Sequence, residues 1–239
     1  MCALLFAAQF THLSAQTTVM KVWKGGNVTS SISTADVDSI TFESTCDGVY
    51  LINGHKFIDL GLPSGLLWAE TNIGAKTAAD DGNYYAWGET DTKSTYSEST
   101  YFDSNYTTYH GKTTLKRQHD AAYINWGSSC RMPTQNEFGE LLNSDNCAWT
   151  WTSMTASNGY SHNGYKVTSV KNGNSIFLPA AGWRYNENLG NLGSLGYYWT
   201  RDLDQSDSCD AYFLRFTSSA YGGGNDYRYR GRSVRPVAK

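Results

Sequence analysis

This sequence is short of charge, of clustered metal-binding side chains and of long apolar runs, and each shortage removes a class of protein. Charged residues make up only 17% of the 239 positions and the formal net charge is -3, so nothing global attracts nucleic acid or an anionic membrane. The five histidines, His12, His55, His110, His119 and His162, are scattered singly, and no CxxC or Cys/His set at zinc spacing accompanies them. Beyond the first ten residues no apolar stretch approaches the length of a membrane span. Catalysis needs a nucleophile, a base and something to hold developing charge, and no GxSxG or P-loop supplies them. The available carboxylate pairs are Asp80 with Asp81, which reads as a turn, and Glu137 with Glu140, which reads as a helix cap beside an exposed side chain. An enzyme is not expected.

What is present is glycine (23), tyrosine (17) and tryptophan (8), a composition that suits a loop-rich, aromatic-stacked β fold and excludes a disordered chain. The length suffices for one sizeable core. Cys2 to Ala8 begins an apolar run that reaches Phe10, and Leu13-Ser14-Ala15 offers a small-x-small cleavage site before Gln16. Residues 1–15 therefore read as a secretory signal, although the usual basic n-region is missing. The mature chain is then secreted or held at the cell surface. It keeps Cys46, Cys130, Cys147 and Cys209, an even number that permits disulfides in three connectivities, with free buried thiols as the other reading.

The clearest helix signal runs from Arg131 to Leu142. Thr134 and Glu137 form a capping box, Pro133 stops an earlier start, and Phe138, Leu141 and Leu142 fall on one face that must lie on sheet. A second helix begins at Asp120 as N-cap and stops at Gly127. Hairpins fill most of the rest. Residues 16–47 read as a small leader module in which Val19–Trp23 and Val28–Ile32 pair across Lys24-Gly25-Gly26-Asn27 and Asp36–Phe42 adds a short strand. Residues 48–239 form the main domain, opening with Val49–Ile52 and Lys56–Leu60 around an Asn53-Gly54 turn. Leu66–Ala69 is a buried strand, and Tyr84 to Gly88 supplies core rings. Thr90 to Thr114 lacks periodicity and reads as a surface insertion. Strands are expected at Trp149–Thr152, Gly164–Ser169, Ser175–Pro179, Gly196–Thr200 and Ala211–Phe216, with Thr217 to Asp226 as a loop and Arg232 to Val237 as a closing strand.

From Ala211 onward Arg215, Arg228, Arg230, Arg232, Arg235 and Lys239 stand against the single acid Asp226. Such arginines cap strands or pair with internal carboxylates, or, beside tyrosines, build the rigid amphipathic surface that binding loops use. Strand alternation buries about half of each set, and Tyr198, Trp199, Tyr212 and Phe216 are core candidates.

Six blocks in order carry a resemblance. They are Phe57 to Ala69 (FIDLGLPSGLLWA), Tyr85 to Thr90 (YAWGET), Arg131 to Thr134 (RMPT), Leu178 to Gly182 (LPAAG), Gly196 to Thr200 (GYYWT) and Ser233 to Val237 (SVRPV). Together they resemble the Fibrobacter succinogenes major paralogous domain, widespread in exported proteins of Bacteroidetes, over about Gly48 to Lys239. The resemblance implies an α+β, C-type-lectin-like fold akin to the formylglycine-generating superfamily: small twisted antiparallel sheets and hairpins braced by two short helices, with long loops. It also implies a role for the tail, because such domains serve as variable proteins of diversity-generating retroelements, and Trp183 to Arg232 is similar to the diversified stretch. Where the family pattern commonly has an aromatic, this chain has Cys130, and Cys209 lies in a usually Tyr-rich approach to the Ala211 strand. A Cys130–Cys209 bridge follows as an expectation, worth roughly 2–4 kcal/mol if unstrained.

The expected function is a non-catalytic, adhesin-like module that recognises a glycan or a surface protein. Its ligand-binding residues are expected to be Trp183, Arg184, Tyr185, Tyr198, Arg201, Tyr221, Asn225, Tyr227, Arg228, Tyr229 and Arg230. No cofactor is required. The oxygen-rich loops Asp80-Asp81-Gly82-Asn83 and Asn225-Asp226 are where calcium would find ligands, but turn chemistry accounts for the same residues. Two other readings stand beside this one: a structural or assembly component of the cell surface, and a degenerate enzyme of the formylglycine-generating type.

Overall fold

The computed structural model describes residues 19–24, 27–33, 48–109 and 112–239. The chain divides into two compact units, residues 1–42 and 43–239. In the first, β1 (Val19–Lys24) and β2 (Asn27–Ser33) pair antiparallel from Val19↔Ser33 to Lys24↔Asn27, with a register shift at Val22/Trp23. This is the expected hairpin. The strand expected over Asp36–Phe42, the signal segment and Cys46 lie outside the described residues.

The second unit is mostly antiparallel sheet with two short helices. β3 (Val49–Ile52) and β4 (His55–Asp59) close around Asn53 and Gly54, whose φ values of +50° and +81° are those of the mirror-image turn that Asn-Gly favours. β4 pairs with β5 (Leu67–Ala69), and the C-terminal β15 (Val237–Ala238) fits between β5 and β6 (Cys130–Arg131). One five-stranded sheet thus ties the beginning, middle and end of the unit together. Two three-stranded meanders complete the frame: β7 (Cys147–Thr155), β8 (Ser161–Ser169) and β9 (Ser175–Pro179), then β12 (Gly196–Leu203), β13 (Asp210–Phe216) and β14 (Tyr221–Tyr227). The hairpin of β10 (Trp183–Tyr185) and β11 (Asn188–Gly190) links them.

Helix α1 (Ala121–Trp126) is capped by Asp120, whose carboxylate accepts from the amides of Ala122 and Tyr123, and ends at Gly127. Helix α2 (Gln135–Leu142) has the full capping box: the Glu137 amide donates to Thr134 Oγ1 at 3.2 Å, and the Thr134 amide donates to Glu137 Oε2 at 2.8 Å. Phe138 and Leu141 are buried and the helix lies against β7, β12, β13 and β14, so its apolar face does rest on sheet. Glu140 is half-buried and accepts from the Ser64 hydroxyl at 2.7 Å, which pins the Pro63 turn to the helix. Two indoles lock the Tyr84–Gly88 segment to β12: Trp87 Nε1 donates to Thr200 O and Trp199 Nε1 to Tyr85 O, both at 2.9 Å.

Four expectations need correction. Thr90 to Thr114 is not simply a surface insertion, because Tyr96, Tyr101, Tyr106 and Tyr109 are all buried; the first three join Tyr84, Ala86, Ala181 and Tyr229 in a cluster. Tyr96 and Tyr101 spend their hydroxyls on the carbonyls of Tyr84 and Trp87, so irregular backbone is held by side chains and leaves no periodic trace. Residues 221–226, where a loop is expected, belong to β14, where Gly224 gives room to the Phe213 ring. The closing strand shrinks to β15, because Arg232 and Ser233 make only isolated bridges to Tyr85 and Tyr198. Finally, Cys130 and Cys209 are free thiols and do not form the expected bridge; Cys130 is sealed in the core beside β15, whereas Cys209 packs on the tyrosine cluster.

Candidate ligand-binding surface

Strand alternation puts Trp183 and Tyr185 on one side of β10, and the turn at Asn186 (φ +52°) sends the chain back along β11. The segment after β14 brings up Tyr227, Tyr229 and Arg230. The Arg230 guanidinium lies 4.5 Å from the ring centres of both Trp183 and Tyr185, 5.8 Å from Tyr229 and 6.0 Å from Tyr227. Tyr227 stacks on Tyr229 at 5.2 Å and 12°, and Tyr185 meets Tyr229 at 6.2 Å. A cation among four rings is favourable, by about 0.5–2 kcal/mol per well-placed ring in other proteins. It also fixes the rings, so Tyr185 and Tyr227, 40% and 45% exposed, present ordered faces to solvent. Flat faces of this kind pack on a sugar ring or on an apolar protein surface at little entropic cost.

The eleven expected site residues do not all meet there. Trp183, Tyr185, Tyr227, Tyr229 and Arg230 do. Arg184 points to the other side, its guanidinium 5.1 Å from the Tyr84 ring. Tyr198 and Arg228 are 0% exposed and are corrections: Tyr198 donates to Pro179 O at 2.7 Å, and Arg228 pairs with buried Asp103 at 3.0 Å while lying over Trp87, Tyr101 and Tyr106. Arg201 is half-buried and donates to Leu115 O at 2.8 Å. Asn225 donates to Asp204, and Tyr221 stacks on Trp149 at 4.5 Å on a different part of the sheet. The structural reading of the arginines therefore applies to Arg228, and also to Arg232 and Arg235. Arg235 is fully used, donating to Asn72 Oδ1 at 2.8 Å and to the carbonyls of Ala69 and Phe177 at 3.0 and 2.9 Å.

Acids organise the tail from beneath. Asp226 pairs with buried Arg232 and faces Arg230 Nε at 3.3 Å, at an angle that makes an ion pair rather than a hydrogen bond. Arg232 is enclosed by the rings of Tyr197, Trp199 and Phe213, and burial pushes its pKa down to about 10. Asp210 feels this arginine and the neighbouring Asp204, Asp207 and Asp226. Burial, then the charges of Asp207, Asp226 and Asp204, push Asp210 up to about 6. The loops from which calcium would draw ligands are otherwise engaged: Asp80 accepts from the amides of Lys76, Thr77 and Ser157, and Asp81 meets His162. Among the described residues no group of three or more His, Cys, Asp or Glu side chains is placed to hold a metal.

Sequence reasoning missed Arg215. It stands on β13 between core residues Leu214 and Phe216, it is exposed, and its guanidinium has no hydrogen bond or ion pair among the described residues. The signal available was its being the one cation in an apolar strand; what lies across from it in space was not written locally.

Thiolate, the reactive form, is disfavoured at Cys130 and Cys147, since burial pushes both up to about 11, the first with help from Asp120. Among the described residues no helix is long and apolar enough to cross a membrane. No family model matches this chain, and neither do any of the curated proteins or solved structures compared with it. What fold and site define is a mostly antiparallel α+β domain with an ordered aromatic surface around one arginine.

Proposed function

We propose that this protein is an exported, non-catalytic binding module of C-type-lectin-like architecture, similar to the Fibrobacter succinogenes major paralogous domain. It recognises a glycan or a surface protein through the rings around Arg230. The observation that carries this reading is the pair Tyr185 and Tyr227, exposed yet held in place by Arg230, Trp183 and Tyr229. Exposed rings that are ordered before a ligand arrives lose little freedom on binding. Export is supported by the apolar run before Gln16, and the absence of catalysis by the lack of a nucleophile set and by thiols held protonated. A tail whose exposed positions lie on such a platform is also suited to diversification, since changing Tyr185 or Tyr227 leaves the buried Arg228 and Arg235 anchors untouched.

The test is a screen of the purified protein against arrayed glycans and surface proteins, with and without calcium, beside a Tyr185→Ala/Tyr227→Ala variant. The expected result is a ligand whose binding falls at least tenfold in the variant while the thermal midpoint moves by no more than a few degrees. A ligand bound equally by both proteins would move the site elsewhere. No ligand for either would leave the structural-assembly reading ahead, with co-purifying proteins as the next thing to identify.

A further inference from the structure

A second, separate site lies where β12, β13 and β14 run side by side. A recess of about 360 Å³ opens there, and its lining includes Tyr197, Arg215, Tyr221, Gly222 and Gly223. Tyr197, Arg215 and Gly222 are direct partners in adjacent strands, so they share one face of the sheet. Arg215 is the only charged residue of the lining and, among the described residues, has no acidic partner. An unpaired, exposed guanidinium between a tyrosine ring and empty space has donors free in the planar fork that fits a carboxylate.

The glycines explain why the space is empty. Gly196 and Gly224 are required by packing, since a Cβ would sit 2.0 Å from the Phe216 ring and 2.8 Å from the Phe213 ring. At Gly222 a Cβ would meet nothing within 4 Å, and at Gly223 only a carbonyl oxygen at 3.8 Å. Neither has a positive φ, so no turn conformation demands glycine either. These two positions sit in the middle of a strand, where glycine is disfavoured by roughly 0.5–1 kcal/mol against alanine. Gly222, directly across from Arg215 on the same face, leaves a clear path to it. Tyr221 pairs with Phe216 and stacks on Trp149 on the opposite face, so the ring that shares Arg215's face is that of half-buried Tyr197.

The geometry points to a binding site for a carboxylate-bearing sugar ring: the carboxylate on the Arg215 fork and the ring in the space left by Gly222, with Tyr197 on the same face. This site shares no residue with the platform around Arg230, and it stands or falls separately. There Asp226 already faces the guanidinium; here the guanidinium waits for its anion.

The experiment titrates the purified protein with glucuronic acid and, separately, glucose, followed by amide chemical shifts. Variants are Arg215→Gln, Arg215→Lys and Gly222→Val, with Lys56→Gln as a charge-matched control on an exposed residue far along the chain. Saturable shifts centred on residues 215–223 are expected with glucuronic acid, with at least tenfold weaker affinity for glucose. Arg215→Gln and Gly222→Val should each weaken glucuronic acid binding tenfold or more while their thermal midpoints stay near the parent's. Arg215→Lys should retain part of it, because the charge survives without the fork, and Lys56→Gln should bind like the parent. Equal binding of glucose and glucuronic acid, full binding by Arg215→Gln, or no saturable shift at all would each overturn the proposal.

Discussion

Two arginines beside tyrosines on this tail have opposite circumstances. Arg230 is surrounded by four rings and faces Asp226, so its charge is met within the fold and what reaches solvent is the aromatic surface it organises. Arg215 has one neighbouring tyrosine across the strand, no acid among the described residues, and glycine on its other flank. A run of Tyr and Arg in a sequence therefore carries no single meaning. What separates scaffold from recognition is whether the guanidinium's partners come from the same chain, and the buried Arg228, Arg232 and Arg235 stand at the scaffold extreme.

That contrast breaks most readily at Arg228. Its pair with Asp103 is buried on both sides, and the amides of Thr107 and Thr108 also converge on the carboxylate. Against the upward pull of burial, those amides and Arg228 hold Asp103 below the usual carboxylate range. Arg228→Ala strands a buried anion and should cost about 3–5 kcal/mol. Urea denaturation measures it as a lower midpoint, beside an Arg215→Ala variant expected within about 0.5 kcal/mol of the parent. Equal effects from the two would show that burial does not divide these arginines as argued.

The glycines offer a sharper version at smaller scale. Gly196→Ala drives a Cβ into the Phe216 ring and should destabilise by about 1–3 kcal/mol. Gly222→Ala meets open space and should be neutral or gain up to about 1 kcal/mol, since alanine suits a strand interior better. Thermal unfolding of the two single variants reads the difference directly. A loss at Gly222 as large as at Gly196 would mean that the recess is packing in disguise.

The frame was legible because its signals are local. The Asn53-Gly54 turn, the Thr134/Glu137 box, the Asp120 cap and the Ser175–Pro179 strand each depend on residues within a few positions, and each stands where expected. The corrections share the opposite property. Tyr96 and Tyr101 donate to carbonyls 12 and 14 residues back along irregular backbone, and Arg228 pairs with Asp103, 125 residues away, so no periodicity marks the partners. The site was half legible for the same reason. Composition marked the tail, but only the cross-strand register of β12, β13 and β14 separates Tyr221 from Tyr227 and uncovers Arg215. The expected disulfide failed similarly: the family resemblance suggested Cys130 and Cys209 as partners, while the fold gives Cys130 to the β15 side of the core.

The smallest expected effect concerns how the arginine-holding acids tolerate one another. Asp226 holds Arg232 and faces Arg230, and Asp210 next to it is kept protonated up to about 6 by burial and by Asp207, Asp226 and Asp204, with its Oδ1 unpartnered. A carboxyl raised in the fold above its ordinary 3.8 binds its proton more tightly folded than unfolded. Its contribution is fully present below about 3.8 and is lost as pH rises through about 6. Asp103, Glu137 and Asp204, all held low, run the other way and lose stability as pH falls, so the raw profile mixes the two signs. Asp210→Asn isolates the first: parent minus variant stability should decline between pH 4 and 6 and level off above, leaving the variant the more stable protein at pH 7. Denaturation across that range checks it. A flat difference would mean that Asp210 ionises freely, and that the acids gathered around the consumed arginines repel one another too weakly to matter.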